Sequence, residues 1–256
     1  MKKGILTVIF MVVITIVFIS ALASIHELSK ERVMQNAKID QYKSILYAFD
    51  IFPENIVEQE LGLTSTTDAI PWQQDQILQI IKDQIRAIKV PVTSEQAQLL
   101  KNSFLVVKDS IEIFVQTNEA GEITAYGFPM RGKGLWGTIT AFGVLSADLN
   151  KMLGIDFTEQ VETPGLGARI TEIEFKYFFR NLDLSGFQDH PPTGGQPIVL
   201  VRKKDNTNRE VSTNSFQAIT GATQTVDGVL KMVNTDLRFY MNVIKANEEL
   251  IRKEIG

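Results

Sequence analysis

Residues 218–225 read Ala218-Ile219-Thr220-Gly221-Ala222-Thr223-Gln224-Thr225. Hydroxyl side chains stand at three of these positions, and Gly221 and Ala222 leave the surface beside Thr223 bare. An apolar, helix-like run follows from Val226, so the stretch predicts a turn that opens into a helix near Thr225. The start of a helix offers unpaired backbone N–H groups and the positive end of the helix dipole, which together favour an anion such as phosphate. Because Thr is also a common N-cap, these residues alone leave two interpretations open, an anion site and a capped helix.

Two further glycine-rich stretches differ from generic linkers. Residues 132–137 read GKGLWG, and residues 162–167 read ETPGLG. Pro followed by Gly favours a tight turn, which leaves Glu162, Thr163 and Leu166 on a rigid loop. The structural alternative is a pair of plain turns, with Trp136 buried and Glu162 a solvated charge. Neither stretch matches the Walker phosphate loop or the Rossmann fingerprint.

Composition excludes several kinds of chemistry. The chain has 256 residues, a net charge of −4 and no cysteine. A nucleic-acid partner is not expected without a basic excess. Cysteine-ligated clusters, thiolate zinc sites, disulfides and a Cys nucleophile are excluded. The two histidines, His26 and His190, are far apart in the sequence, which argues against a His-based metal site or Ser-His catalysis.

The N-terminus predicts a membrane anchor over residues 1–26. Lys2 and Lys3 precede an uncharged apolar run over residues 4–25, which is long enough to cross the hydrocarbon core. A cleaved signal peptide is the alternative, since residues 21–23 resemble its cleavage site, but the apolar part is longer than usual for one. The positive-inside rule places the two lysines in the cytoplasm. We therefore expect a single-pass protein of a bacterial inner membrane, with its C-terminal domain on the extracytoplasmic side.

The remaining pattern predicts an α+β fold with a mainly antiparallel sheet and flanking helices. Residues 27–103 are expected to form a helical stalk and N-terminal helices, and residues 104–256 a second domain that ends in a long helix. The apolar periodicity predicts helices over residues 27–51, 72–89, 93–102, 172–179 and 225–253. Strands are predicted over residues 111–115, 123–128, 139–145, 153–159 and 197–202.

The three motifs, in this order and behind a single anchor, resemble a known family. They are similar to the FMN-binding domain found in the C-type subunit of the sodium-translocating NADH:quinone reductase and in the related G-type subunit of the Rnf complex. The resemblance covers roughly residues 107–236. Residues 162–167 match the family's E-T-P-G-L-G, and residues 220–223 match its flavinylation motif, Ser or Thr followed by G-A-T. Residues 134–136, and the absence of a histidine just before Glu162, look like the C-type rather than the Rnf protein.

The resemblance implies a cofactor and its attachment point. In this family the last Thr of the flavinylation motif, here Thr223, carries FMN through a phosphoester bond, and a separate flavin transferase attaches it. The motif usually begins with Asp three residues before its first hydroxyl residue, and Gln217 stands there instead. Leu166 and Trp136 are the candidates for an apolar wall against the flavin ring. The full predicted cofactor-binding set is Thr223, Thr220, Gly221, Ala222, Thr225, Glu162, Thr163, Leu166, Gly167 and Trp136.

The implied function is that of a redox subunit rather than a complete enzyme. The chain has no nicotinamide-binding fingerprint, so we expect an electron carrier that works with other subunits of a membrane redox complex. Two alternatives keep the flavin: a G-type subunit of an Rnf complex, and a stand-alone extracytoplasmic flavoprotein. An alternative of another class is a tethered binding or structural domain without flavin, in which Thr223 only caps a helix.

Overall fold

The computed structural model of the chain describes residues 2–51, 73–101, 103–184, 201–203, 215–217 and 219–256. Its largest feature is a six-stranded antiparallel sheet whose spatial order follows the chain order. The strands are β1 (Ile85–Pro91), β2 (Ser110–Thr117), β3 (Ile123–Lys133), β4 (Thr138–Ser146), β5 (Lys151–Glu159) and β6 (Leu182–Asp183). A separate pair, β7 (Val201–Lys203) and β8 (Ser215–Gln217), is parallel.

Six α-helices accompany the strands in the described ranges. They are α1 (Lys2–Ala48), α2 (Gln74–Gln84), α3 (Ser94–Gln98), α4 (Ile173–Tyr177), α5 (Thr223–Ala246) and α6 (Glu248–Ile255), with a 3₁₀ helix over Gly167–Thr171. The predicted α+β class with an antiparallel sheet is therefore confirmed.

The chain divides into two compact units, Met1–Gln41 and Tyr42–Gly256. In the first unit, large apolar side chains between Ile5 and Ile25 are exposed on helix α1. By length and composition this helix can cross a membrane. The structure is thus consistent with the predicted anchor.

In the second unit, helix α5 packs closely on strand β3. The ring of Phe128 on the strand stacks on Tyr240 of the helix, with centroids 4.2 Å apart. Further along, a Cβ added at Gly228 would lie 2.1 Å from the backbone oxygen of Lys133. Such a close approach requires glycine, because no L side chain fits there. This contact fixes the first turns of α5 beside the end of β3.

Two helix predictions are wrong in their bounds. The helix predicted over residues 72–89 ends at Gln84, and β1 begins at Ile85. The isoleucines of this segment fit a helical period. Ile88 and Val90 also fit the alternation of a strand, and both are buried on β1, which pairs with β2. The helix predicted over residues 225–253 begins two residues earlier and is interrupted at Asn247, whose side chain donates to the backbone oxygens of Val243 and Pro91.

The other predicted elements have clearer outcomes. The helices predicted over residues 93–102 and 172–179 are confirmed in shorter form, and the first four predicted strands are confirmed with small extensions. Of the strand predicted over residues 197–202, residues 197–200 lie outside the described residues, as does His190.

Candidate functional site

A tight turn leads into helix α5. The backbone N–H of Ala222 donates to the oxygen of Ile219 at 3.0 Å, and Gly221 between them has a φ of +79°. A positive φ at the third residue is the type II arrangement, which strongly favours glycine. A Cβ at this position would also lie 3.0 Å from Cδ2 of Leu166. The glycine therefore allows both the turn and the contact with the loop that carries Leu166.

Thr223 is the first residue of helix α5 and not its cap. The N-cap is Ala222, and no side chain in the described part of the chain makes a capping hydrogen bond there. Thr220 and Thr223 are both exposed. The simple capped-helix interpretation of Thr223 is therefore wrong. Because the first N–H groups of a helix have no intrahelical partner, this helix start presents free donors beside an exposed hydroxyl.

Glu162 connects three separate parts of the chain. Its side chain is buried, with 5% exposed, so the expectation of a solvated charge is wrong. The backbone N–H groups of Leu135 and Trp136 donate to its carboxylate at 3.2 and 2.9 Å. The hydroxyl of Thr225, in the first turn of α5, donates to the same group at 2.5 Å. One carboxylate thus joins the β3–β4 turn, its own loop and the start of the helix.

Hydrogen bonding keeps this carboxylate ionised despite its burial. Burial raises the pKa of Glu162, but the bonds from the Thr225 hydroxyl and from the N–H groups of Trp136, Leu135 and Gly137 outweigh it. The net pKa lies below the ordinary value. Hydrogen bonds to the charged form have this effect because they stabilise the anion. The three parts are therefore held together by a negative charge at neutral pH.

Two glycines leave room for this carboxylate. A Cβ at Gly134 would lie 2.4 Å from one Glu162 oxygen, and a Cβ at Gly167 would lie 2.8 Å from the other. The added atom at Gly167 would also come within 2.6 Å of the Thr225 hydroxyl. The glycines of both motifs therefore serve close packing around Glu162.

Trp136 lies on the surface, 69% exposed, so the structural alternative of a buried tryptophan in a plain turn is wrong. Its indole N–H donates to the hydroxyl of Thr163 at 3.1 Å. Leu135 and Leu166 are also exposed. The two loops thus present an apolar, partly aromatic surface, and Leu166 contacts the turn before Thr223.

The structure brings the predicted site residues into one region through these contacts. Thr225, Glu162 and Gly167 form its buried frame, while Thr163, Leu166 and Trp136 lie on its surface. The residues fit FMN in kind: an exposed hydroxyl with free N–H donors suits a phosphate, and exposed apolar side chains suit a flavin ring. Sequence reasoning missed the structural use of the Leu135 backbone and of Gly134. Both roles depend on the burial of Glu162, which the sequence did not indicate.

Comparisons with known proteins show what this chain is similar to. Residues 134–238 match the family model described as the FMN-binding domain. The C-type subunit of the Na⁺-translocating NADH-quinone reductase of Pasteurella multocida is 29% identical over 189 residues, which is 73% of this chain and 65% of that protein. The corresponding protein of Pseudomonas aeruginosa is 26% identical over 57% of this chain and 55% of its own length. The matches thus span less than two thirds of these two relatives.

A solved structure has the same fold. NqrC from Shewanella oneidensis covers 80% of this chain and 96% of its own, with a TM-score of 0.56 and 17% identity. The family model and the similar sequences confirm the predicted resemblance, and the solved structure confirms the fold.

Proposed function

We propose that this chain, which carries an FMN-binding domain, is a membrane-anchored electron-carrier subunit of a sodium-translocating NADH:quinone reductase-like complex, with FMN held by a phosphoester bond to Thr223. The observation that carries the proposal is the position of Thr223. Its hydroxyl is exposed on the first residue of helix α5, and the N-cap is Ala222, which has no hydroxyl to occupy the free N–H donors.

Attachment requires the Thr223 hydroxyl as a nucleophile. The oxygen forms a bond to the FMN phosphorus of FAD, the pyrophosphate bond breaks, and AMP leaves. The described residues around Thr223 include no base hydrogen-bonded to its hydroxyl, so we assign the proton acceptor to a separate flavin transferase. Gly221 and Ala222 leave the hydroxyl accessible to such an enzyme.

The residues of the chain then hold and orient the product. The N–H groups of the first turn of α5 and the helix dipole favour the phosphate, with about 0.3–1 kcal/mol from the dipole alone. Glu162 fixes the loop of Trp136 and the loop of Leu166 against the helix, so that Leu166 stays beside the turn before Thr223 and Trp136 stays beside Thr163. When bound, FMN supplies the redox chemistry, and the protein fixes its place.

The membrane arrangement follows from helix α1. We assign Lys2 and Lys3 to the cytoplasm by the positive-inside rule and the second unit to the extracytoplasmic side. Accessibility of a cysteine introduced at exposed Glu119 to a membrane-impermeant thiol reagent on intact cells measures this side. Because the chain has no cysteine of its own, the label reports that position alone.

Covalent flavin is the direct test. The full chain is co-expressed with a flavin transferase, and a denaturing gel is viewed under ultraviolet light. We expect a fluorescent band for the wild type and for Thr223→Ser, which keeps the hydroxyl, and a dark band for Thr223→Ala. Thr220→Ala is the neighbouring control and should remain fluorescent. A dark wild-type band, with the transferase active on a second substrate, would refute the attachment.

A separate experiment tests whether the chain is a subunit of a membrane redox complex. The detergent-solubilised flavinylated chain is purified from its native membrane, and the proteins that accompany it are identified. Co-purification with integral membrane redox subunits supports the proposal, and the identity of those subunits separates a reductase of the sodium-translocating type from an Rnf complex. Recovery of the chain alone would favour the stand-alone flavoprotein.

A further inference from the structure

A basic cleft lies beside the site, between the end of strand β3 and helix α5. Its volume is about 270 Å³. The polar and aromatic side chains in its lining are Arg131, Lys133, Lys231, Ser103, Thr235 and Phe104. Gly134 also lines it, and the next two residues carry the exposed side chains of the β3–β4 turn. The cleft therefore adjoins the β3–β4 turn that carries Trp136, and Thr223 is not among its lining residues.

The positive charge of the cleft is not neutralised within the described part of the chain. No carboxylate there forms an ion pair with Arg131, Lys133 or Lys231. Asp227, one turn before Lys231 on α5, is exposed and makes no such pair. Asp236 is fully buried and accepts from the Ser103 hydroxyl and the Arg131 backbone N–H instead. Three cations thus converge in a chain whose net charge is −4.

Exposed apolar side chains lie in and next to the lining of the cleft. Phe104, which lines it, is 46% exposed, and Val106, two residues further along the chain, is 87% exposed. Leu135 and Trp136, which directly follow the lining residue Gly134, are also exposed. Aromatic residues and Arg are enriched in protein interfaces, and residues of these types often carry most of the binding energy there. This combination suits a protein segment better than a small free anion.

We propose that this cleft docks an acidic segment of a redox partner protein, with partner carboxylates on Arg131, Lys133 and Lys231 and a partner apolar side chain on Phe104. The inference rests on the proposed carrier function, which requires a partner to approach the flavin. Opposite charges would steer that approach and fix its orientation. Docking here would bring the partner against the loop that carries Trp136, beside Thr223.

The test uses the full, flavinylated chain in nanodiscs and a fluorescent peptide of four glutamates around one phenylalanine. Binding is followed by fluorescence anisotropy at rising salt. We expect the affinity to fall about tenfold or more for the double variant Lys133→Gln and Lys231→Gln, as loss of charge-assisted hydrogen bonds implies. Lys245→Gln is the matched control, since Lys245 is exposed on the same helix about 21 Å away. Raising the salt from about 50 to about 500 mM should weaken binding to the wild type.

A charge-reversal variant tests for a gain of binding, which a poorly folded protein would not show. The double variant Lys133→Glu and Lys231→Glu should bind a lysine version of the peptide better than the wild type does. Equal binding of the glutamate peptide and a glutamine version, or equal effects of Lys245→Gln and the double variant, would overturn the inference. So would full displacement of the peptide by AMP or inorganic phosphate at equal concentration, which would indicate a small-anion site. In-gel flavin fluorescence of each sample separates these outcomes from failure of the proposed function, because the cleft variants should keep their FMN.

Discussion

Replacing Glu162 by Gln removes one charge from the centre of the site with almost no change in shape. The carboxylate accepts hydrogen bonds from the N–H groups of Leu135 and Trp136 and from the Thr225 hydroxyl, and the Gly137 N–H also stabilises its charge. A Gln side chain can place its oxygen toward Leu135 and Thr225, but its NH₂ group then faces the Trp136 N–H. One donor loses its acceptor, and the other bonds lose their charge assistance.

The magnitude follows from these contacts. An orphaned buried donor costs about 1–3 kcal/mol, and weakened charged hydrogen bonds add to it. Because Trp136 is largely exposed, water replaces part of the lost bond, so we expect a decrease of about 2–3 kcal/mol in the free energy of unfolding. For a domain of this size that corresponds to a drop of roughly 5–10 °C in Tm.

The loss of stability in Glu162→Gln should depend on pH in a definite direction. The pKa of Glu162 is lower in the folded chain than its ordinary value of 4.5. Its ionised form therefore stabilises the fold above that value, and this stabilisation is lost as the pH falls through the lower folded pKa. The difference between wild type and Glu162→Gln should be full at pH 7 and shrink in acid.

The assay is thermal unfolding of the full chain in detergent, followed by near-ultraviolet circular dichroism at several pH values. Glu159→Gln, at an exposed carboxylate nearby in the sequence, is the control and should behave as the wild type. Thr225→Val tests the same contact from the other side, and its effect should not add to that of Glu162→Gln because the two residues share one bond. A Glu162→Gln variant as stable as the Glu159→Gln control, or one whose deficit is independent of pH, would refute the reasoning.

Three other predictions concern different parts of the molecule. Burial raises the pKa of Asp236 to about 6 from 3.8, so its folded-state protonation stabilises the chain at low pH and this contribution is lost as the pH rises through about 6. In denaturant titrations, Asp236→Asn should reduce the change of the unfolding free energy with pH by about 2–3 kcal/mol. Exposed Asp227→Asn should not alter this change. Gly228→Ala places a Cβ 2.1 Å from the backbone oxygen of Lys133 and should lower the unfolding free energy by about 1–3 kcal/mol; a wild-type denaturation midpoint would show that α5 shifts freely on β3. Gln217→Asp restores the usual acid of the family motif and should raise the flavinylated fraction in the gel assay, and an unchanged rate of modification would show that the transferase accepts Gln.

Some features could be predicted from local sequence because their causes are local. The apolar run of α1 needs no tertiary partner to be recognised, since its length alone suits a membrane. The alternation in β2, with Ile111, Ile113 and Val115 inward, likewise marks a strand by itself. The position of Gly221 in a turn before the helix was also predictable, because the need for a positive φ is local.

Other features could not be predicted from the sequence because two local patterns fitted it equally well. The isoleucines before β1 fit a helix as well as a strand, and pairing with β2 decided between them. The helix start at Thr223 was similarly ambiguous, since any of three threonines could stand at an end. The backbone turn at Gly221 and the packing of α5 on β3 determined which one became the first residue of the helix.

The sequence by itself determined the long apolar N-terminal helix, the α+β class and the turns of the three glycine-containing motifs, because periodicity and turn chemistry act over a few residues. Only the tertiary structure decided that Glu162 is buried and ionised, with Trp136 and Thr225 as its partners. Those residues lie 26 and 63 positions away in the chain. A buried carboxylate is stable only where enough donors converge on it, and that convergence depends on the sheet and helix being already in place. The same packing placed three cationic side chains in the lining of one cleft, although Arg131 and Lys231 are 100 residues apart in the sequence.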